Sequence, residues 1–142
     1  MVLQDIGAGQ GYLSRTLCHA SRRPSLPSTS TALPTSAAIQ VLAIDGSSTQ
    51  IRGSQAFGEK ASATSPITYL VQRIEGADSA SEEISDWLAT RGEGGPGIII
   101  GLHACGKLTD DTVGMFLKSD GLKGLVVVGC KFKHVQGQLA EH

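Results

Sequence analysis

Net charge is nearly absent from this 142-residue chain, where 12 Lys and Arg meet 13 Asp and Glu to leave −1 at pH 7. No global positive field draws the molecule to nucleic acid, so any such contact has to come from a local patch. The chain also lacks any run approaching the ~18 apolar residues of a transmembrane helix, so no membrane partner is expected. Cysteine is scarce: Cys18, Cys105 and Cys130 are an odd number at wide spacings, with no apolar signal segment ahead of them. Reduced thiols in an intracellular protein, cytoplasmic or nuclear, are the expectation. Hydrophobic residues make up 40% of the sequence, enough for a core, and the length suits one domain.

What the chain does have, at its very start, is the stretch VLQDIGAGQGYLS from Val2 to Ser14. Val2, Leu3 and Ile6 suit a buried strand, Gly7, Gly9 and Gly11 allow a sharp turn and close approach of a ligand, and Tyr12 to Leu17 begins a helix. Dinucleotide-binding folds favour G-x-G-x-x-G, with the helix N-terminus facing a pyrophosphate. Here the pattern is D-x-G-x-G-x-G, with Asp5 two residues before the first glycine. A carboxylate there repels a pyrophosphate and can pair with an ammonium, such as the one on the methionine end of S-adenosylmethionine. A glycine-rich turn without a ligand is the plain alternative, and an NAD-dependent oxidoreductase is disfavoured by Asp5 and the glycine spacing.

Strand candidates recur at Ala38–Ile44, Ile67–Val71, Gly97–Leu102 and Leu122–Val128, separated by helical or polar stretches. The alternation predicts an α/β fold, a Rossmann-like, doubly wound and mainly parallel sheet. With its first residues already inside a strand and its last apolar run ending near Val128, the sequence reads as one partial domain over 1–142, incomplete at both ends. Residues 21–36, rich in Ser and Pro, read as an inserted loop, and Arg22 and Arg23 as solvated residues on it, with phosphate contact as the alternative.

Asp45 closes the second strand, where nucleotide-binding folds place an acid that accepts hydrogen bonds from ribose hydroxyls; the insertion stretches the usual ~20-residue separation from the glycine loop. An Asp-Gly turn is the alternative at Asp45-Gly46. A weak helix interrupted by Gly53 and Gly58 is expected over 51–60. Glu75 and Asp78 follow the third strand, where an adenine contact is expected from one of the two. Ser81 precedes a helix with early acids and a core Trp87, Thr109 reads as the N-cap of the next helix, and Val135 to His142 as a fraying end.

The segments DIGAGQGYLSRTL, GLHACGKLTDDT and VVVGC together resemble class I S-adenosylmethionine-dependent methyltransferases, specifically the methyltransferase-like protein 25 family, which includes ribosomal RNA adenine dimethylase domain-containing proteins. The LHACG-like segment is also similar to a tRNA 2′-O-methyltransferase group. The resemblance covers about a quarter of the chain and departs from the family at Lys131 and Phe132. It implies that Asp5, Gly7, Gly9 and Gly11 hold the methionine end of the cofactor, that Asp45 holds its ribose, and that His103 to Gly106 border the transferred methyl. The implied acceptor is RNA, or protein. The alternative is a degenerate, non-catalytic domain that keeps the fold as a binding or scaffolding module.

Methyl transfer from a sulfonium is an in-line displacement in which positioning and exclusion of water supply much of the rate, so a dedicated base is optional. His103 is the candidate base, because imidazole titrates near neutral pH, and a backbone-bonded structural histidine is its alternative. Cys105 is a candidate nucleophile with Cys130 assisting, in the manner of RNA cytosine-5 methyltransferases; small buried cysteines are the competing explanation. His103, Cys105, Cys130 and His134 as a zinc set form a third possibility, but their spacing matches no short zinc module and no metal is expected.

Overall fold

A computed structural model describes residues 1–22, 39–61, 66–79, 82–91 and 96–130, without the side chains of residues 60, 61 and 130. Most of the Ser/Pro insertion, the capping role of Ser81, the Lys131-Phe132 departure, His134 and the fraying end lie outside them. The order of elements is β1 (Val2–Ile6), α1 (Tyr12–Ser21), β2 (Gln40–Asp45), α2 (Ser48–Ala61), β3 (Ile67–Val71), α3 (Glu82–Arg91), β4 (Gly97–Cys105), α4 (Leu108–Lys118) and β5 (Leu122–Cys130).

The five strands form one parallel sheet in the order β3-β2-β1-β4-β5. The expected Rossmann-like α/β architecture is therefore what the chain adopts. Every residue of β1 is buried, as are Val41 to Ile44 of β2. Strands so apolar on both faces require helices on both sides, and two separate clusters meet that need. On one face Val2, Ile6, Leu42, Ile44 and Ile99 pack with Ile84 and Trp87 of α3 and Met115 of α4. On the other Leu3, Val41, Ala43, Ile67 and Ile100 pack with Cys18 of α1, and Tyr69 beside them donates its hydroxyl to Ser54 O of α2 at 3.4 Å. Each fully buried large aliphatic side chain contributes about 1.5–3 kcal/mol. Trp87 is core as expected, with Nε1–H donating to Thr68 Oγ1 at 3.0 Å.

Three local expectations are corrected. Residues 48–61 form a full helix rather than a weak one, with both glycines inside it. Gly58 lies where a Cβ would come within 3.2 Å of the Tyr69 hydroxyl, so its small size lets α2 approach β3. Strand β4 continues past Leu102 to Cys105, with a register irregularity between Gly101 and Ala104, so His103 and Cys105 sit on the strand instead of in a loop after it. Finally, α4 starts at Leu108, which puts Thr109 inside the first turn; its hydroxyl donates to Ala104 O at 2.7 Å and ties helix to strand. Among the described residues no helix is long and apolar enough to cross a membrane.

Candidate functional site

The glycine loop leaves β1 at the centre of the sheet. Gly7, Gly9 and Gly11 all take left-handed backbone angles, with φ of 69°, 55° and 68°, which costs a residue with a Cβ ~1–2 kcal/mol. This alternation is the physical reason for three glycines at two-residue spacing. The N–H groups of Gly7 and Ala8 both donate to Ile44 O at 2.9 and 3.0 Å, and Gly11 N–H donates to Ala8 O at 2.8 Å. The loop is thus folded back onto the end of β2.

Asp45 locks it there. Its Oδ2 accepts from Gly9 N–H at 2.9 Å and its Oδ1 from Ser47 N–H at 2.7 Å, and the carboxylate lines the cleft described below. Asp5 does a different job. It is only 2% exposed and accepts from the Ser14 hydroxyl at 2.5 Å, which fastens β1 to the first turn of α1. Burial pushes its carboxyl above the ordinary value; hydrogen bonds from the Ser14 side chain and backbone oppose the rise, and the nearby Asp45 charge adds to it.

Beyond the C-terminal ends of β1, β2, β3 and β4 opens a cleft of about 710 Å³, within the usual range of small-molecule sites. Ligands of doubly wound sheets bind in this crevice, where the strand order reverses between β1 and β4. Ile6, Ile44, Ile74 and Leu108 give it apolar walls, and Asp45, Glu75 and Asp111 bring three carboxylates, with Arg73 and Lys107 as cations. Both cations are already engaged: Arg73 Nε pairs with Glu75 at 2.8 Å, and Lys107 pairs with the buried Asp111 one helical turn on. Asp45, held by backbone N–H groups, leaves the lining with one excess negative charge.

A family model described as a methyltransferase domain matches residues 1–138. The chain belongs to the methyltransferase domain family. No curated protein and no solved structure gives a significant match.

In this methyltransferase domain the sequence-predicted residues are not all brought to one place. Gly7, Asp45 and Cys105 line the cleft. Gly9 is attached to it through Asp45, Gly11 packs away from it against Ser54 and Arg15, and Asp5 is buried behind the loop. His103 is exposed on β4 and is not among the residues lining the cleft. Cys105 is exposed and forms no disulfide; its Cα is in register with Cys130 on β5. Among the described residues no group of His, Cys, Asp and Glu is arranged to hold a metal, though His134 and the Cys130 side chain fall outside that description. Of the two acids after β3, Glu75 reaches the cleft, whereas Asp78 pairs outside it with Lys118 at 2.6 Å.

Sequence reasoning missed Gln72, Arg73, Lys107 and Asp111 as cleft residues. The Lys107–Asp111 pair had a signal in its i, i+4 spacing. The segment after β3 had none, because hydrogen bonds of its own shape it: Gln72 Nε2 donates to Ser79 O at 2.6 Å and Glu75 N–H to Ser79 Oγ at 2.8 Å. Its close approach to α4 also depends on Gly114, where a Cβ would lie 2.6 Å from that of Ala77.

Proposed function

We propose that the chain binds S-adenosylmethionine in the cleft at the ends of β1, β2 and β4 and transfers its methyl group to RNA or protein. The observation that carries this proposal is the Asp45 carboxylate, presented at the end of β2 beside a glycine loop in a cleft with excess negative charge. Such a lining repels a pyrophosphate and suits a ligand of net positive charge, whose sulfonium and ammonium outnumber its single carboxylate. When bound, the cofactor supplies an activated methyl on that sulfonium.

The residues present fit this group. Asp45 keeps lone pairs for ribose hydroxyls after accepting from Gly9 and Ser47, and Ile44, Ile74 and Leu108 offer apolar surface for adenine. No atom comes within 4 Å of a Cβ placed on Gly9, so the loop presents its backbone to open space. Asp5 supports the site from behind by fixing the loop to α1, and Cys105 and Lys107 line the cleft at the end of β4. In finer classification, the motif-level resemblance to the methyltransferase-like protein 25 family supports membership of that subfamily and an RNA acceptor.

Calorimetry of the full chain with S-adenosylmethionine tests the cofactor. One site is expected, and Asp45→Ala should weaken it at least tenfold; absence of binding to the unmodified chain overturns the proposal. Binding without transfer of labelled methyl to cellular RNA or protein would instead identify a non-catalytic member that uses the fold as a binding module.

A further inference from the structure

The two helical layers differ sharply in charge. Among the described side chains, α1 with its closing turn and α2 carry Arg15, Arg22 and Arg52 against Glu59 alone, and α1 has no acid at all. Helices α3 and α4 on the opposite face, with the capping Lys107 of α4, carry five carboxylates against three cations. The near-zero net charge of the whole chain conceals this separation.

The basic face also exposes two aromatic rings. Tyr12 is 65% and Phe57 53% exposed, an unusual placement for residues that ordinarily bury their rings. The guanidinium of Arg15 lies 5.1 Å from the Tyr12 ring centroid and 5.5 Å from that of Phe57, and it is held there by Ser54 Oγ at 3.2 Å. One cation thus joins the two rings into a single platform across α1 and α2, and more than half of each aromatic residue stays open to a partner.

We propose that this face binds single-stranded RNA, with bases stacked on Tyr12 and Phe57 around the Arg15 guanidinium. Stacking on exposed rings takes unpaired bases, and the Arg15 cation between the rings supplies the charge attraction that an uncharged platform lacks. The glycine loop links the platform to the cleft: Gly7 lines the cleft, and at the other end Gly11 leaves no room for a Cβ against Ser54 and Arg15. That the bound strand is the methyl acceptor rests on the proposed methyl transfer; the binding itself does not, and it is measured without cofactor.

The test is fluorescence anisotropy of the full chain titrated into a fluorescein-labelled 12-nucleotide oligouridylate at about 50 mM salt. Binding is expected, with affinity falling as salt rises. Tyr12→Ala and Phe57→Ala should each weaken it at least fivefold, and Tyr12→Phe should keep it. Glu83→Gln on the opposite face should leave binding within twofold. Circular dichroism of each variant separates lost binding from lost fold. Absence of binding by the unmodified chain overturns the proposal, as does undiminished binding by a folded Tyr12→Ala, Phe57→Ala double variant. Equal affinity for an acidic peptide of matched charge overturns it in favour of a protein partner.

Discussion

The two faces of the sheet are built from different materials. Under α3 and α4 lies the larger cluster of apolar residues, Ile6, Leu42, Ile44, Ile84, Trp87, Ile99 and Met115 among them, with Gln4, Asp111 and Thr112 buried beside it. Under α1 and α2 the cluster is smaller, with Ala43 and Cys18 in it, and alongside sit buried polar residues, Asp5, Ser14 and Ser54. The first face contributes most of the hydrophobic stabilisation. The second gives some of that up for a hydrogen-bonded frame, Ser14 to Asp5 and Arg15 to Ser54, that sets where α1 begins and therefore how the glycine loop ends.

Adjacent isoleucines on β4 give the strongest way to break this contrast, because Ile99 belongs to the first cluster and Ile100 to the second. Ile99→Ala should cost about 4 kcal/mol and Ile100→Ala about 2 kcal/mol in urea unfolding, both within the known range for such truncations. Equal losses would show that the two faces stabilise alike. Next in size is Gly11→Ala, at about 3 kcal/mol, because the new Cβ meets Ser54 Oγ at 2.2 Å on a left-handed backbone. Gly9→Ala, equally left-handed but in open space, should cost only about 1 kcal/mol. The difference between the two glycines isolates the polar frame from mere backbone strain.

An exception on the apolar face supplies a third measurement. Gln4 is 1% exposed, and neither its amide oxygen nor its nitrogen has a hydrogen-bond partner. The two-residue period of a strand places it with Val2 and Ile6. Gln4→Leu should therefore raise stability by about 1–2 kcal/mol, since an unsatisfied buried amide carries its full desolvation cost. A loss of stability would mean that the amide is satisfied in solution.

The smallest effect is a pH dependence. Burial raises the Asp5 carboxyl above 3.8, so the folded state holds the proton more tightly than the unfolded one. Its contribution to stability is fully present below pH 3.8 and is lost as pH rises through the raised value. Asp5→Asn keeps an acceptor for Ser14 and removes the ionisation, so the fall in stability over that window should flatten in melts recorded from pH 3 to about 7. An unchanged slope would assign it to other groups.

Local sterics wrote much of this into the sequence. Three alternating glycines after an apolar run need a left-handed loop wherever they fall, and unbroken apolar runs such as GIIIGL need cover on both sides. Asp45 was legible because a strand end is a fixed position in such a sheet. Harder to read was the cleft beyond β3, shaped by a hydrogen bond of Gln72 to Ser79 without a periodic pattern and by the contact of Ala77 with Gly114, which joins segments far apart in the chain. The extent of β4 was hidden for a similar reason: pairing with β5, resumed past an irregular register, carries it beyond Leu102 to Cys105.

By itself the sequence determined the parallel α/β plan, the glycine loop and the acid at the end of β2, since periodicity and backbone sterics act over a few residues. Only the tertiary structure decided which carboxylate serves which purpose. Asp5 and Asp45 are both acids at a strand's C-terminal half, yet packing against α1 buries one beneath Ser14 and leaves the other lining the cleft. It also decided that in a nearly neutral chain the helices on one face of the sheet carry an excess of cations and those on the other an excess of carboxylates. Burial and charge field are sums over neighbours that the fold assembles, and no local pattern contains them.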